Sequence, residues 1–450
     1  MTSEVIQKKS FNNFGIGERQ RFAYPIIGAC IGGIIVMSYI WSQFYPYLME
    51  TYHLSANTAV VLGATWLGIS NMVIGPIIGG YLADKGGPKI GYGIAGLSIL
   101  VGFLLLRSMV GIPEWEQAKI FYYAGSFFVG LAGGLYAGTA PAVTTKWNPD
   151  RIGKAVGICN IGPGLANLWL AWFVALMIPR MGIANTYTWL GIIGAVVFWF
   201  VGALLWKNPP KNYIPAGCDQ EAIIKKRANA DKEPLNIPEL LKDYKFWLIW
   251  LIIFSKCFAG SVFSMNQSLI YIDGLSAKGG MDILEVRNVI IPSVMSVAAI
   301  FNALGRPLWG WIMDKIGNPF NTMLVLFSCQ ILAFWLLFLG FTTVATLFIT
   351  VILFTITNAG SACVNVAISP YVFGAKMAGK VMAVMFTATG LAYIIGPYLA
   401  AYISDLTGGF GSVIAGTSGF IVICIILTLV VKRIAKKRMA TTEAGNEALN

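Results

Sequence analysis

Gly79-Gly80-Tyr81-Leu82-Ala83-Asp84-Lys85-Gly86-Gly87-Pro88-Lys89 and Gly310-Trp311-Ile312-Met313-Asp314-Lys315-Ile316-Gly317 are the two polar breaks that decide how this chain is built. Each interrupts a long apolar run and is followed by another. Gly75, Gly80, Asp84 and Lys85 recur as Gly305, Gly310, Asp314 and Lys315, every pair 230 residues apart. Gly162-Pro163-Gly164 is echoed by Gly396-Pro397 at an offset of 234. Two similar halves in one apolar chain are the arrangement of proteins that hold a ligand at the interface between repeats.

Outward from these breaks, the composition excludes a soluble fold. Of the 450 residues 57% are hydrophobic and 12% charged, with mean hydropathy +0.70, whereas soluble domains are about 25% charged. Runs of about 20 apolar residues cross a bilayer. Twelve such runs are expected, near 22–49, 56–82, 88–107, 118–145, 153–178, 184–206, 244–272, 283–312, 319–340, 343–372, 377–403 and 409–431. We number them spans 1 to 12. The expected fold is all-α and integral to the membrane, with 12 transmembrane helices in two pseudo-symmetric six-helix bundles, 22–206 and 244–431. A polar connector at 207–243 contains Lys207-Asn208-Pro209-Pro210-Lys211 and Lys225-Lys226-Arg227, and polar tails occupy 1–21 and 432–450. Nothing at the start of the chain reads as a cleavable signal peptide.

The basic residues orient the chain. With the N-terminus inside, 25 of the 32 Lys and Arg fall in cytoplasmic segments or at the cytoplasmic ends of spans and five in outer loops or at outer span ends, leaving Lys256 and Arg306 deep within spans. The positive-inside rule then puts both termini in the cytoplasm of a multi-pass protein of the cell membrane. The net charge of +12 follows from that rule and from attraction to anionic membrane lipid, with no need of nucleic acid. Seven scattered cysteines form no CxxC pair, and the single histidine, His53, cannot make a His-ligated metal centre. No cofactor or metal is expected, and no nucleophile–base pair or nucleotide loop points to an enzyme.

Arg306 and Lys256 are therefore the informative residues. A charge at the bilayer centre costs roughly 2.5–3.5 kcal/mol on insertion scales and is kept where it faces a cavity, a partner or a ligand. Arg306 lies eight residues before Asp314, or about 12 Å into a core about 30 Å thick. Its planar fork matches the two oxygens of a carboxylate. Asn302, one turn earlier, can orient the guanidinium or the ligand. Lys256, ten residues after Phe246, lies about 15 Å deep, as a second cation or a titrating group. Tyr39, Trp41 and Gln43 of span 1, Tyr136 of span 4, Asn358 of span 10, and Thr389 and Tyr393 of span 11 complete the expected substrate site. Polar residues in spans also bond between helices, the alternative for each of them.

The Gly79–Lys89 break resembles the loop 2–3 signature of the major facilitator superfamily, and Gly310–Gly317 is its weaker copy in loop 8–9. Within that superfamily, Phe301-Asn302 followed by Gly305-Arg306-Pro307-Leu308-Trp309-Gly310 is similar to the oxalate/formate antiporter family and related monocarboxylate porters. Tyr136, Lys146-Trp147-Asn148-Pro149 and Phe246-Trp247 are similar to it too. The resemblance implies secondary transport of a small organic anion by alternating access. It departs where the family pattern has a lysine and this chain has Thr389, and where pattern aromatics are Asn358, Ala362 and Phe386. Those departures speak against oxalate and for a monocarboxylate such as lactate, pyruvate or formate. Asp84 with Lys85 and Asp314 with Lys315 are expected to gate, locking helix ends in one conformer and releasing them in the other. Exchange against a counter-anion and proton symport both remain open at this point, and a monomer suffices. The alternatives are an exporter of amphipathic compounds, in which Arg306 is a structural charge, and, from another class, a membrane-embedded enzyme or receptor.

Overall fold

The computed structural model describes residues 16–35, 37–85, 87–149, 151–210, 213–215, 237–339, 342–373 and 378–447. Among these the chain is helical almost throughout, as it must be where no water satisfies backbone groups. Ten stretches are long and apolar enough to cross a bilayer. The longest, 155–205, has 51 residues and holds two spans. It doubles back at Gly182, whose φ of 80° and ψ of 162° suit glycine alone. Span 1 is built of three pieces, Glu18–Ile35, a tight 3₁₀ segment Met37–Phe44 and Tyr45–Thr51. Counting it and both arms of 155–205 gives the expected twelve. Span 12 differs from expectation: its helix, Gly411–Glu447, runs beyond residue 431, because Lys432–Glu447 is rich in helix-forming Ala, Lys, Arg and Glu. Much of the 207–243 connector lies outside the described residues; Ile237–Lys242 within it is helical.

The repeat seen in the sequence recurs in the packing. Span 1 packs on span 5, span 2 on span 4, and span 3 on spans 4 and 6; spans 7 to 12 repeat each pairing with their counterparts. Glycine permits the tightest of these. A Cβ at Gly75 would lie 2.5 Å from the Cα of Gly134 in span 4, and one at Gly305 would lie 2.8 Å from the Cβ of Ala359 in span 10. Here the 230-residue repeat is a repeated backbone approach.

The two halves are joined unevenly. At the end that carries Glu50 and Asp405, the Asp405 carboxylate accepts the Asn57 N–H (2.7 Å) and the Thr58 N–H (2.9 Å), capping the first turn of span 2 from span 11. Arg287 and Glu50 form an ion pair of 2.7 Å between spans 8 and 1. Deeper, Gln43 Nε2 donates to Met295 Sδ (3.1 Å), Ser268 Oγ to Ser42 Oγ (3.3 Å) and Thr65 Oγ1 to the Ile394 carbonyl (3.3 Å). The series ends with Arg306. Its bond to span 5 is the described link between the halves that lies nearest the Lys85–Lys315 end.

Gly75 and Gly80 give a matched test, since a Cβ at Gly80 meets nothing within 4 Å. Gly75→Leu should lower the apparent Tm of the purified protein, in keeping with the roughly 1–3 kcal/mol cost of overpacking. Gly80→Leu should leave it unchanged; equal losses would show that these glycines do not differ in packing.

Candidate functional site

Where the joined region ends, a cavity of about 180 Å³ lies between spans 1, 2, 4, 5 and 8. Met37, Asn71, Tyr136, Asn160, Pro163 and Arg306 line it, and Arg306 is the only charged residue among its described lining. Arg306 Nη1 donates to the backbone carbonyl of Asn160 in span 5 at 2.6 Å, so this bond crosses between the halves. Nη2 reaches Asn302 Oδ1 at 3.4 Å, a longer contact from one turn earlier on the same helix. Span 5 meets span 8 at Gly164. A Cβ at Gly164 would sit 3.4 Å from Asn302 Oδ1. Pro163 cannot donate the usual helical bond to residue 159 and opens the local backbone geometry.

Tyr136 is buried in the cavity wall, its hydroxyl donating to the Gly28 carbonyl at 2.9 Å. Asn71 faces Tyr136 from span 2 and was not among the residues expected from sequence. It sits in a wide π-helical turn, Ser70–Ile74, a distortion that recurs at functional sites. The signal available was the polar pair Ser70-Asn71 in the middle of an apolar run. On the other side of Asn302 is a small void of about 30 Å³, lined by Asn167, Ser264, Gln267, Thr355 and Asn358. Asn358 thus joins Asn302 in an amide-rich space large enough for about one water, beside the guanidinium but apart from the larger cavity.

Other expected residues are placed elsewhere. Lys256 is fully buried and donates to Gln330 Oε1 at 2.6 Å, which turns it toward span 9 inside the second half. It lines neither space. Its depth was legible in the sequence; its rotational position on span 7 was not. Thr389 contacts Cys257 Sγ at 3.5 Å, also within the second half. The backbone of Tyr393 packs across the halves, its carbonyl 3.2 Å from where a Gly68 Cβ would be. Trp41 is buried against Phe44 and Tyr122 at ring-centroid distances of 5.8 and 6.5 Å, and Gln43 is taken up by Met295. Both lie in the 3₁₀ segment, whose three residues per turn shift side chains away from the face an α-helix would present. The Tyr39 side chain lies outside the described residues.

The Asp84 side chain likewise lies outside the described residues, and Asp314 is exposed. Lys85 lies over the Tyr81 ring at 4.8 Å and Lys315 over the Trp311 ring at 3.9 Å, so the repeat extends to a cation–π pair one turn apart. The end of span 2 is tied through its backbone: the Ala83 carbonyl accepts Lys146 Nζ (3.0 Å) and Asn208 Nδ2 (3.1 Å).

Twelve apolar helices in two repeated halves, with a charged cavity at their junction, define a secondary transporter frame and not an enzyme. A sequence profile of the Major Facilitator Superfamily matches residues 26–397, with an overlapping match at 281–449. The chain belongs to that superfamily. It is 26% identical over 335 residues to the oxalate:formate antiporter of Oxalobacter formigenes, covering 73% of this chain and 72% of that one. Its fold matches a bacterial homologue of the human lysosomal transporter Spinster, with TM-score 0.65 and 14% identity over 94% of this chain and 99% of that one. The nucleoside transporter NupG gives TM-score 0.67 and 15% identity over 91% and 98%.

The placement of Lys256 is open to test. A buried cation bonded to an amide is harmed more by losing its partner than by joint replacement with apolar groups. Gln330→Ala should therefore reduce thermal stability more than the double variant Lys256→Met/Gln330→Leu. Lys256→Met should leave substrate KM within about twofold of wild type; a KM raised about tenfold would return Lys256 to the site.

Proposed function

We propose that this transporter carries a small organic anion, a monocarboxylate of the formate, lactate or pyruvate kind, by alternating access, with Arg306 as its carboxylate site. The observation that carries this reading is the single positive charge lining a small cavity at the junction of the halves. One guanidinium matches one carboxylate, and Lys256, bonded to Gln330 in the second half, does not supply a second cation for a dianion. At about 180 Å³ the cavity is below the roughly 300–1,000 Å³ of sites for drug-sized ligands, which argues against an exporter of amphipathic compounds. The relative from Oxalobacter formigenes, named for exchange of oxalate and formate, supports small carboxylates as the class. Asn71 and Asn160 are the amides in the lining that can orient the ligand, Asn302 can orient the guanidinium, and Tyr136 shapes the wall.

The positive-inside distribution assigns the Lys85–Lys315 end, with both termini, to the cytoplasm of a cell membrane. The halves then meet on the outer side, and the described arrangement is an inward-facing one. Asp84, Lys85, Asp314 and Lys315 lie at the cytoplasmic ends that must come together when the cavity turns outward. Proton symport would call for a titratable carboxylate beside the ligand, and the described lining of the cavity contains no Asp or Glu. We therefore favour anion exchange, in which the loaded carrier changes conformation more readily than the empty one.

Uptake of labelled formate, acetate, lactate, pyruvate and oxalate into proteoliposomes tests this directly. Saturable uptake of a monocarboxylate, accelerated by the same unlabelled anion inside, is expected for wild type. Arg306→Ala should reduce kcat/KM by at least about a hundredfold, since it removes a bidentate charge-assisted contact. Carboxylate uptake untouched by that substitution would remove Arg306 from the site, and dependence on a proton gradient alone would replace exchange by symport.

A further inference from the structure

We propose a second carboxylate site, centred on Arg287 at the outer mouth, that receives the anion when the halves part. The proposal rests on the substrate class and orientation given above. Arg287 lies in a π-helical turn of span 8, Val286–Ile290, and lines an open cavity of about 630 Å³ between the halves. Its side chain is only 9% exposed. Nη1 donates to Glu50 Oε2 at 2.7 Å and Nη2 to the Pro46 carbonyl at 3.4 Å. Nε is buried with no hydrogen-bond partner among the described residues. The guanidinium carbon lies 4.5 Å from the ring centroid of Tyr47, whose hydroxyl is held by Asn288 Oδ1 at 3.0 Å. The cation is thus fixed and largely desolvated.

Its partner is not fixed. The Glu50 side chain is 68% exposed, and it belongs to span 1, in the other half. The remaining carboxylates lining this cavity are already engaged. Asp405 caps the Asn57 and Thr58 N–H groups, and Asp273 accepts the Phe410 N–H at 2.8 Å and Lys278 Nζ at 3.0 Å. Opening the outer side separates span 1 from span 8, so Arg287 must give up the only carboxylate it holds. A buried guanidinium left without its anion is costly, and an incoming carboxylate restores the same charge-assisted bonds. Glu50 then acts as a tethered stand-in for the ligand while the mouth is shut. Arg287 and Arg306 lie on one helix, and both donate to the opposite half, which marks successive stations on the same route.

The test compares Arg287→Gln, Arg287→Lys and Glu50→Gln in right-side-out and everted membrane vesicles. Its probe is whichever of formate, acetate, lactate or pyruvate the wild type carries. The outside KM should rise about tenfold in Arg287→Gln, as for loss of one charge-assisted hydrogen bond, and less in Arg287→Lys. In Glu50→Gln, where the competing carboxylate is gone, it should fall by about threefold. KM from the cytoplasmic side should stay within about twofold of wild type. If the Arg287–Glu50 pair is only a latch, removing either partner favours the open mouth, and both residues' variants move the outside KM in the same direction. That result, or an unmoved outside KM, would overturn the proposal. Should Arg287→Gln fail to reach the membrane, the opposite signs expected of Arg287→Lys and Glu50→Gln decide the matter. Absence of carboxylate flux in wild type would overturn the functional reading instead.

Discussion

A guanidinium about 12 Å into a membrane span calls for oxygen partners, and here the shorter of its described bonds reaches the other half of the molecule. Arg306 belongs to span 8, and its 2.6 Å bond ends on the Asn160 carbonyl of span 5. Span 5 is positioned for it by its own packing on span 1, where a side chain at Gly162 would strike the Ala29 carbonyl. A charge suited to a carboxylate is thereby also a link between the two bodies that must move. In the proposed scheme an entering anion would offer a stronger, charged acceptor than a backbone carbonyl and would change that link as it binds. Ligand and conformation are coupled only through such differential contacts.

The uneven joining of the halves gives this coupling a direction. Beyond Arg306 the halves are held by a helix cap from Asp405, an ion pair, and several side-chain bonds to hydroxyl, carbonyl and thioether groups. Each is modest, on the order of 0.5–1.5 kcal/mol for neutral bonds and somewhat more for charged ones. Together they can be matched by the few kcal/mol that separate conformers of a working transporter. Within each half the glycines of spans 2 and 8 bring neighbouring helices into close backbone contact.

How much of this was legible in the sequence follows from what one-dimensional patterns encode. Apolar run lengths, the 230-residue recurrence and the basic-residue bias gave the spans and the halves, and depth counting put Arg306 near the centre. Rotation about a helix axis is encoded poorly where apolar residues surround the whole span. Lys256, expected at the site from its depth, and Thr389, which stands where the family pattern has a lysine, both turn into the second half. Trp41 and Gln43 meet other partners for a different reason: a 3₁₀ segment replaces the α-helix under them. Asn71 is marked in the sequence only by the polar pair Ser70-Asn71, and the π-helical turn that holds it leaves no pattern of its own. Span 12 outran its apolar segment because helix propensity, not hydropathy, governs Lys432–Glu447.

The account stands on the anion lying beside Arg306 at the junction of the halves. The most direct measurement is a crystal structure grown with a bromo-substituted monocarboxylate and phased for its anomalous signal. The account predicts a bromine peak in the cavity between Asn71, Tyr136 and Arg306, with the carboxylate within hydrogen-bonding distance of the guanidinium. A well-occupied peak elsewhere, such as beside Lys256 and Gln330, with the Arg306 cavity empty, would contradict it.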